Sequence, residues 1–211
     1  MWKPNKQTLL LFLMAVTAMS IVVSNIITNK SITAPWGLAM TCGAFCIPLS
    51  YIADDVLAEV YGYQTARHVV WIGFACGLIA VLYFQATIWV QGDSSFTAQE
   101  AFETVLGAAA RTTFASFVAY LAGSLANARV MTSMHERDGE NHLAARCILS
   151  TVAGEFLDMG IFAVLAFAGT LPWAVIMQII VSNACVKVAL ETVLYPVLTR
   201  RVIGWSKKLA N

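Results

Sequence analysis

Long apolar runs separated by short polar connections dominate the pattern of this chain. Crossing about 30 Å of hydrocarbon takes about 20 helical residues, and six runs are long enough. They cover residues 8–27, 36–60, 69–90, 104–127, 147–170 and 173–199. The pattern therefore predicts an all-α polytopic membrane protein whose six transmembrane helices form a single integral membrane domain over residues 1–211.

The first run has some features of a signal peptide, because Lys3 and Lys6 precede it. However, the run is long for the apolar part of a signal, and it leads into Asn25, Asn29 and Lys30 without a small-residue cleavage site. We predict that it is retained as a membrane helix. Asn25 and Asn29 also give it a polar face that can reach a pathway inside the bundle.

Composition agrees with the membrane class, since 59% of the residues are apolar and only 12% are charged. A soluble domain has about 25% charged residues. The net charge of +1 and the absence of a Gly-rich phosphate loop from the sequence argue against a nucleic-acid partner. The five cysteines lie in or beside apolar segments, where they are expected to pack as small hydrophobic residues. Neither a metal nor a cofactor is predicted.

The basic residues predict the orientation. With six spans, both termini, the second-to-third connection and the fourth-to-fifth connection share one side of the membrane. Ten of the 13 basic residues fall on that side: Lys3, Lys6, Arg67, Arg129, Arg137, Arg146, Arg200, Arg201, Lys207 and Lys208. Cytoplasmic loops carry an excess of Lys and Arg. We therefore predict that both termini are cytoplasmic and that the connection at 91–103 faces the opposite side.

Eight charged residues interrupt the apolar runs. They are Asp54, Asp55, Glu59, Arg111, Glu155, Asp158, Lys187 and Glu191. A charge at the centre of a membrane-spanning helix costs about 2.5–3.5 kcal/mol on the insertion scale. Most of the eight must therefore face the bundle interior, form pairs, or reach the membrane surface. Their depths run from Arg111 in the outer third, through Glu155 and Asp158, to Asp55 and Glu59 near the cytoplasm. We predict that they line a polar path.

Spacing suggests different roles for these charges. Glu155 and Asp158 lie three residues apart and have no basic residue within a helical turn, which favours a role in binding substrate or protons. Asp55 and Glu59 share a helix face, and Arg67 follows two turns later. These two acids either contact substrate or form an ion pair at the cytoplasmic surface.

The remaining charges also have alternative interpretations. Lys187 and Glu191 are four residues apart, so they either serve the pathway or neutralise each other. Arg111 is either a substrate clamp or the structural partner of an acid. Asp54 is turned about 100° from Asp55 on a helix, so we expect it to cap the helix or reach the membrane surface.

A faint internal repeat links the second and fifth spans. Leu49, Ser50, Ala53, Asp55 and Leu57 recur as Leu149, Ser150, Ala153, Glu155 and Leu157. The two spans run in opposite directions. Such a repeat is expected of two three-helix halves of inverted topology, with substrate near the midplane between them. Five matches of this kind also arise by chance.

A longer series of residues resembles the queuosine precursor transporter family, also called the vitamin uptake transporters, across all six spans. The series is Asn25, Gly43-Ala44-Phe45, Pro48, Asp55, Glu59, Tyr61-Gly62, Ala66-Arg67, Arg111, Ser116, Tyr120, Ser150-Thr151, Asp158, Lys187 and Pro196. The resemblance implies a transporter rather than an enzyme. It implies a multi-pass protein of the bacterial inner membrane that imports cyano- and aminomethyl-deazaguanine, from which the tRNA nucleoside queuosine is made.

The resemblance also gives the charges a chemical purpose. A guanine-type base presents a ring N–H beside an exocyclic amine, and one carboxylate can accept both hydrogen bonds, while the keto edge needs a donor. The expected partners are thus a small purine-like base, the lipid bilayer and, in a homo-oligomer, further copies of the chain. The candidate substrate-binding residues are Asn25, Asp55, Glu59, Arg111, Glu155, Asp158 and Lys187.

Two other functions remain open at this stage. A substrate-binding subunit of an ATP-driven vitamin importer has a similar size and number of helices, although the first span lacks a small-residue stripe for docking a partner. An intramembrane enzyme could use Asp54, Asp55 and Glu59 to hold a metal. Their spacing is not that of the aspartate-rich enzymes, and no basic cluster for a diphosphate accompanies them.

Overall fold

The computed structural model describes residues 5–138 and 143–194, without the side chains at 135, 138, 143–147 and 191–194. Most of this part is helical, and five of its helices are long and apolar enough to cross a membrane. The five are α1 (Lys6–Ile27), α3 (Tyr63–Trp89), α4 (Gln99–Asp138), α5 (Leu143–Phe167) and α6 (Trp173–Leu194). The prediction of a mainly helical polytopic membrane protein is confirmed.

Several helices are longer than the apolar runs that predicted them. α3 begins at Tyr63 rather than 69, and α4 runs from Gln99 to Asp138 rather than from 104 to 127. With 40 residues, α4 is about 60 Å long, which exceeds the thickness of the hydrocarbon. Hydropathy marks where a helix leaves lipid. It does not mark where the backbone hydrogen bonds stop, because polar residues continue the helix into water.

The predicted second span does not form one continuous helix over 36–60. Its first part belongs to a hairpin in which β1 (Ser31–Thr33) pairs antiparallel with β2 (Ala39–Thr41). Gly37 adopts a φ of 83° in the connecting turn, a conformation that glycine accommodates without strain.

The rest of this segment is a helix in three pieces. A 3₁₀ turn covers Cys42–Cys46, α2 covers Ile47–Val56, and a π turn covers Leu57–Tyr61. Pro48 lies in the first turn of α2, where its missing N–H has no intrahelical partner to lose. Gly62, with a φ of 88°, separates this segment from α3. Pro48 therefore marks the start of α2, and Gly62 marks the break between this segment and α3.

The buried contacts between helices are made largely by small side chains. Ala115, Ala119, Ala163 and Ala184 are fully buried between α4, α5 and α6. Large apolar side chains instead face outward, and Leu78, Leu82 and Leu125 are each about 60–70% exposed. Small residues at helix interfaces and large apolar residues on the outside are the pattern expected of a bundle surrounded by lipid.

Some predicted features lie outside the described residues or side chains. These are the basic residues Lys3, Arg146, Arg200, Arg201, Lys207 and Lys208, the acid Glu191, Pro196 and the end of the sixth span beyond 194.

Candidate functional site

A cavity of about 350 Å³ lies among the helices, with walls formed by α1 to α6. Its lining combines apolar side chains such as Ile21, Ile47 and Phe74 with charged and hydroxyl groups. We call it the main cavity. Its volume lies in the range of sites that enclose a small organic molecule, and an apolar lining with a few polar groups is typical of such sites.

A cluster of charges from α5 and α6 forms the polar wall. Lys187 Nζ donates a hydrogen bond of 2.5 Å to Asp158 Oδ2 and lies 2.9 Å from Glu155 Oε2. Tyr51 of α2 donates a 3.0 Å hydrogen bond to the other oxygen of Glu155. Glu155 and Asp158 share one face of α5 because they are three residues apart. We call Lys187, Glu155 and Asp158 the charge triad.

The partner of Lys187 thus comes from a neighbouring helix. Local spacing suggested Glu191, whose side chain is not described, but the ammonium group is held by two acids of α5. Each of the triad side chains is about one-fifth exposed. The triad is therefore largely removed from solvent yet open to a molecule in the main cavity.

Asp54 lines the main cavity from α2, contrary to the prediction that it would cap the helix or reach the membrane surface. Thr17 of α1 donates a hydrogen bond of 3.3 Å to its Oδ1. Thr17 itself is almost completely buried. The 100° between successive helical residues turns Asp54 inward, and neighbouring Asp55 does not line the cavity.

A smaller cavity of about 90 Å³ adjoins the main one, and both are lined by Asp158 and Lys187. Asn25 lines this smaller cavity and is only 4% exposed. Its backbone carbonyl accepts a 2.7 Å hydrogen bond from Thr112, which ties α1 to α4. Within the described part of the chain, its side-chain Nδ2 has no hydrogen-bond partner. A buried amide donor without a partner is costly, so a ligand is a reasonable partner for it.

The β-hairpin covers the end of the smaller cavity. Trp36 Nε1 donates a 3.0 Å hydrogen bond to Ser182, and the backbone N–H of Ala39 donates one of 3.1 Å to Gln178. Asn183 makes two bonds to Thr41. Its Oδ1 accepts from the backbone N–H at 3.3 Å, and its Nδ2 donates to the hydroxyl at 2.8 Å. These contacts fix the hairpin to α6.

Two glycines allow α4 and α5 to approach closely beside the triad. A Cβ atom at Gly123 would lie 2.8 Å from Asp158 Cβ and 2.9 Å from the carbonyl oxygen of Gly154. A Cβ at Gly154 would lie 3.0 Å from Asn127 Cβ and from Gly123 O. The two backbones are therefore in contact, as in small-residue interfaces of membrane helices. This contact sets the position of Asp158.

The structure brings together four of the seven predicted site residues, namely Asn25, Glu155, Asp158 and Lys187. Asp55 and Glu59 line neither cavity.

Arg111 lies away from both cavities. Its Nε and Nη2 donate hydrogen bonds of 2.6 Å and 2.5 Å to the carbonyl oxygens of Leu165 and Ala168. Leu165 lies in the last turn of α5 and Ala168 directly follows the helix, where carbonyl groups lack intrahelical donors and the helix dipole attracts cations. Of the two roles considered for Arg111, its contacts fit the structural one, although its partners are carbonyl groups rather than an acid.

The sequence did not single out Tyr51, and Asp54 was predicted to cap the helix or reach the membrane surface. Tyr51 nevertheless contacts Glu155, and Asp54 lines the main cavity. A usable signal was present in the spacing, because residues three apart share a helix face. A tyrosine and an aspartate on one face of an otherwise apolar helix indicate a polar surface there.

The family assignment follows from comparison with known proteins. A family model described as "Putative vitamin uptake transporter" matches residues 41–200, which is most of the chain. The chain belongs to this vitamin uptake transporter family. The predicted family is thereby confirmed, and with it the prediction of a multi-pass membrane transporter. The match includes Asp54 and the whole charge triad.

One named relative adds detail. A protein of Bacillus subtilis (strain 168) called "Probable queuosine precursor transporter" is 29% identical over 162 residues. The aligned region covers 76% of this chain and 71% of the relative. No solved structure matches the chain.

Proposed function

We propose that this protein imports deazaguanine precursors of queuosine, the cyano and aminomethyl bases, across the bacterial inner membrane for tRNA modification. The observation that carries the proposal is the charge triad in the wall of a cavity sized for a small molecule. The family match and the name of the Bacillus subtilis relative support it. Together they favour a solute carrier over an enzyme.

The triad offers the groups that a guanine-type edge needs. Glu155 Oε2 makes an ion pair with Lys187 but, among the described residues, no hydrogen bond of ordinary geometry, so it can accept hydrogen bonds from a ligand. In the proposed complex, Glu155 accepts from the ring N–H and the exocyclic amine, and Lys187 donates to the keto oxygen. Tyr51 holds the Glu155 carboxylate in place through its 3.0 Å hydrogen bond. The ligand then takes the place of the lysine–glutamate contact.

We further propose six membrane passages in a single domain, arranged as two inverted halves, with both termini cytoplasmic. The helical pieces of 42–61 contain 20 residues, which suffices for a sixth crossing beside the five long helices. The distribution of basic residues supports the orientation. The repeat between 49–57 and 149–157 supports the halves, as does the contact between Tyr51 and Glu155 across the cavity.

In this orientation the main cavity opens toward the cytoplasm. Its lining extends along α4 from Ser116 to Asn127, about 17 Å of helix, in the direction away from the hairpin. The hairpin and its bonds to α6 close the outer end. Transport by alternating access then requires the hairpin contacts to break while the cytoplasmic end closes.

Reconstitution of the purified chain alone tests the proposed function. We expect proteoliposomes to accumulate labelled cyano- or aminomethyl-deazaguanine, and excess unlabelled base to compete. Liposomes containing a Lys187→Met variant serve as the control, since this variant keeps the length of the side chain but removes its charge. Binding without uptake would indicate a subunit that depends on a separate ATP-driven module. Neither binding nor uptake by folded protein would contradict the proposal.

A further inference from the structure

We propose that Asp54 is a second anchor in the main cavity, one that binds a positively charged substituent of the substrate. The protein then takes the cationic aminomethyl precursor in preference to the neutral cyano precursor. This inference rests on the proposed function. It concerns a residue that is not among the seven predicted substrate-binding residues.

The charges of the main cavity do not balance. Its described lining contains the carboxylates of Asp54, Glu155 and Asp158 but a single cation, Lys187, so the ionised lining carries a net charge of −2. Lys187 is already engaged by the two acids of α5. A charge removed from water needs a partner, and a ligand that brings a positive charge supplies one.

Asp54 is the acid of the cavity for which the described part of the chain shows no ion pair. Among the described residues, its one hydrogen-bond donor is the hydroxyl of Thr17 at 3.3 Å, which is long for a bond of this type. Neutral hydroxyls compensate a carboxylate less well than an ammonium group does. The Thr17 hydroxyl can orient the Asp54 carboxylate. The remaining lone pairs of the carboxylate can then accept hydrogen bonds from a ligand in the cavity.

The position of Asp54 relative to the triad fits a flat base with a short arm. Tyr51, which touches Glu155, precedes Asp54 by three residues on α2. The two side chains therefore share a face, with a rise of about 4.5 Å between them. A base held at Glu155 would direct a substituent one helical turn further along α2, toward Asp54.

Asn25 gives independent evidence that a ligand belongs at this site. Its Nδ2 is a buried donor without a partner, and it lines the smaller cavity next to Asp158 and Lys187. An unpaired donor at this end is suited to an acceptor such as a keto oxygen. The site thus offers two donors, Asn25 and Lys187, and a carboxylate outside the charge triad, Asp54. A ligand that carries both an acceptor and a cationic arm can engage both kinds of group.

Equilibrium binding to the purified full-length protein in detergent tests the inference. Three probes that share the deazaguanine ring are compared: aminomethyl, hydroxymethyl and cyano. The hydroxymethyl base has the size of the aminomethyl base without its charge. We expect the wild type to bind the aminomethyl base at least about tenfold more tightly than either neutral base, as close charge pairs at binding sites commonly contribute that much or more.

The variant Asp54→Asn is expected to lower this ratio to within about threefold of one, chiefly by weakening the binding of the aminomethyl base. Asp54→Glu keeps the charge and should keep the preference. Glu100→Gln, which removes an exposed acid at the start of α4, is the matched control and should leave the ratio as in the wild type.

Equal affinity of the wild type for the aminomethyl and hydroxymethyl bases would overturn the inference, even if Asp54→Asn fails to fold. An equal loss of affinity for all three bases in Asp54→Asn would also overturn it, since that pattern indicates a structural role. If the wild type binds none of the three, the proposed function fails, and this inference fails with it. Binding of all three without charge preference leaves the proposed function standing and removes only the role of Asp54.

Discussion

At the scale of single residues, the site depends on which buried polar groups have partners. Lys187 is held by two acids, and Glu155 by both Lys187 and Tyr51. Asn25 Nδ2, in contrast, lacks a partner among the described residues. Buried polar groups are normally satisfied. A substrate therefore gains the most binding free energy from groups in the cavity wall that lack a full set of hydrogen-bond partners.

Replacing Glu155 by Gln tests whether a carboxylate reads the guanine edge. An amide presents one acceptor toward the paired donors of the base, so binding of deazaguanines should weaken by at least about tenfold, the effect of losing a hydrogen bond to a charged group. Selectivity should also flatten. The wild type should reject a base that lacks the exocyclic amine, and Glu155→Gln should reject it less strongly.

Competition for uptake by hypoxanthine-like and guanine-like bases measures this selectivity. Glu136→Gln removes an exposed acid near the end of α4 and serves as the control. If the wild type takes both bases equally well, the carboxylate does not read the guanine edge, and the acids of α5 serve the structure or bind protons.

Replacing Arg111 by Met separates stability from binding. The guanidinium caps α5 through the carbonyls of Leu165 and Ala168, so its loss should lower the free energy of unfolding by about 1–2 kcal/mol. The affinity for the base should not change, because Arg111 lines neither cavity. Thermal unfolding and equilibrium binding measure the two effects. Arg129→Met, an exposed arginine of the same helix, is the control. If the affinity weakens while the stability stays unchanged, Arg111 binds the substrate instead of stabilising α5.

At the scale of elements, the apolar pattern predicted that α1, α3, α4, α5 and α6 exist, but it placed the start of α3 six residues too late and the end of α4 eleven residues too early. It did not predict the hairpin or the divided helix at 42–61. The reason is physical, because an apolar run reports burial in lipid or protein but not hydrogen bonding. The hairpin is fixed by contacts such as that of Trp36 with Ser182, 146 residues apart, which no local pattern contains.

The candidate site was predictable to a similar extent. Charges in apolar helices pointed to Glu155, Asp158 and Lys187, since the cost of placing a charge in lipid is a local property. Which helix supplies the partner of Lys187, and which of Asp54 and Asp55 faces inward, depends on how the helices pack. The sequence alone therefore predicted that Asp54 caps the helix or reaches the membrane surface, whereas the packing of α2 turns it into the main cavity.

The contact between α4 and α5 gives a prediction at this scale. In Gly154→Ala, the new methyl group would lie 3.0 Å from backbone and Cβ atoms that cannot easily move. We expect a loss of about 1–3 kcal/mol of stability from overpacking, and weaker base binding because Asp158 shifts. Gly160→Ala is a matched control in the same helix, since nothing lies within 4 Å of its added Cβ. It should be neutral or stabilising by about 0.5–1 kcal/mol. Equal behaviour of the two variants would show that the close approach is unimportant.

At the scale of the whole molecule, one end of the bundle is closed by hydrogen bonds and the other contains the wider cavity. The closure involves hairpin residues at 36–41 and the polar side chains Gln178, Ser182 and Asn183 of α6. Polar contacts of this kind can exchange their protein partners for water when they separate, so they suit a gate. The arrangement corresponds to one state of an alternating-access cycle in the proposed orientation.

Cross-linking the gate tests this account. In a background lacking the five native cysteines, Thr41→Cys and Asn183→Cys place thiols where the two side chains are bonded at 2.8 Å. Joining them with a short bifunctional thiol reagent should abolish uptake into proteoliposomes, because the outer end can no longer open. Binding to the detergent-solubilised protein should persist, since the main cavity remains accessible from the other end.

A reagent of the same length that reacts with one thiol only is the control, and cleavage of a reducible linker should restore uptake. Uptake at the uncross-linked rate by fully cross-linked protein would show that substrate does not pass the hairpin, and the route would then have to lie elsewhere in the bundle.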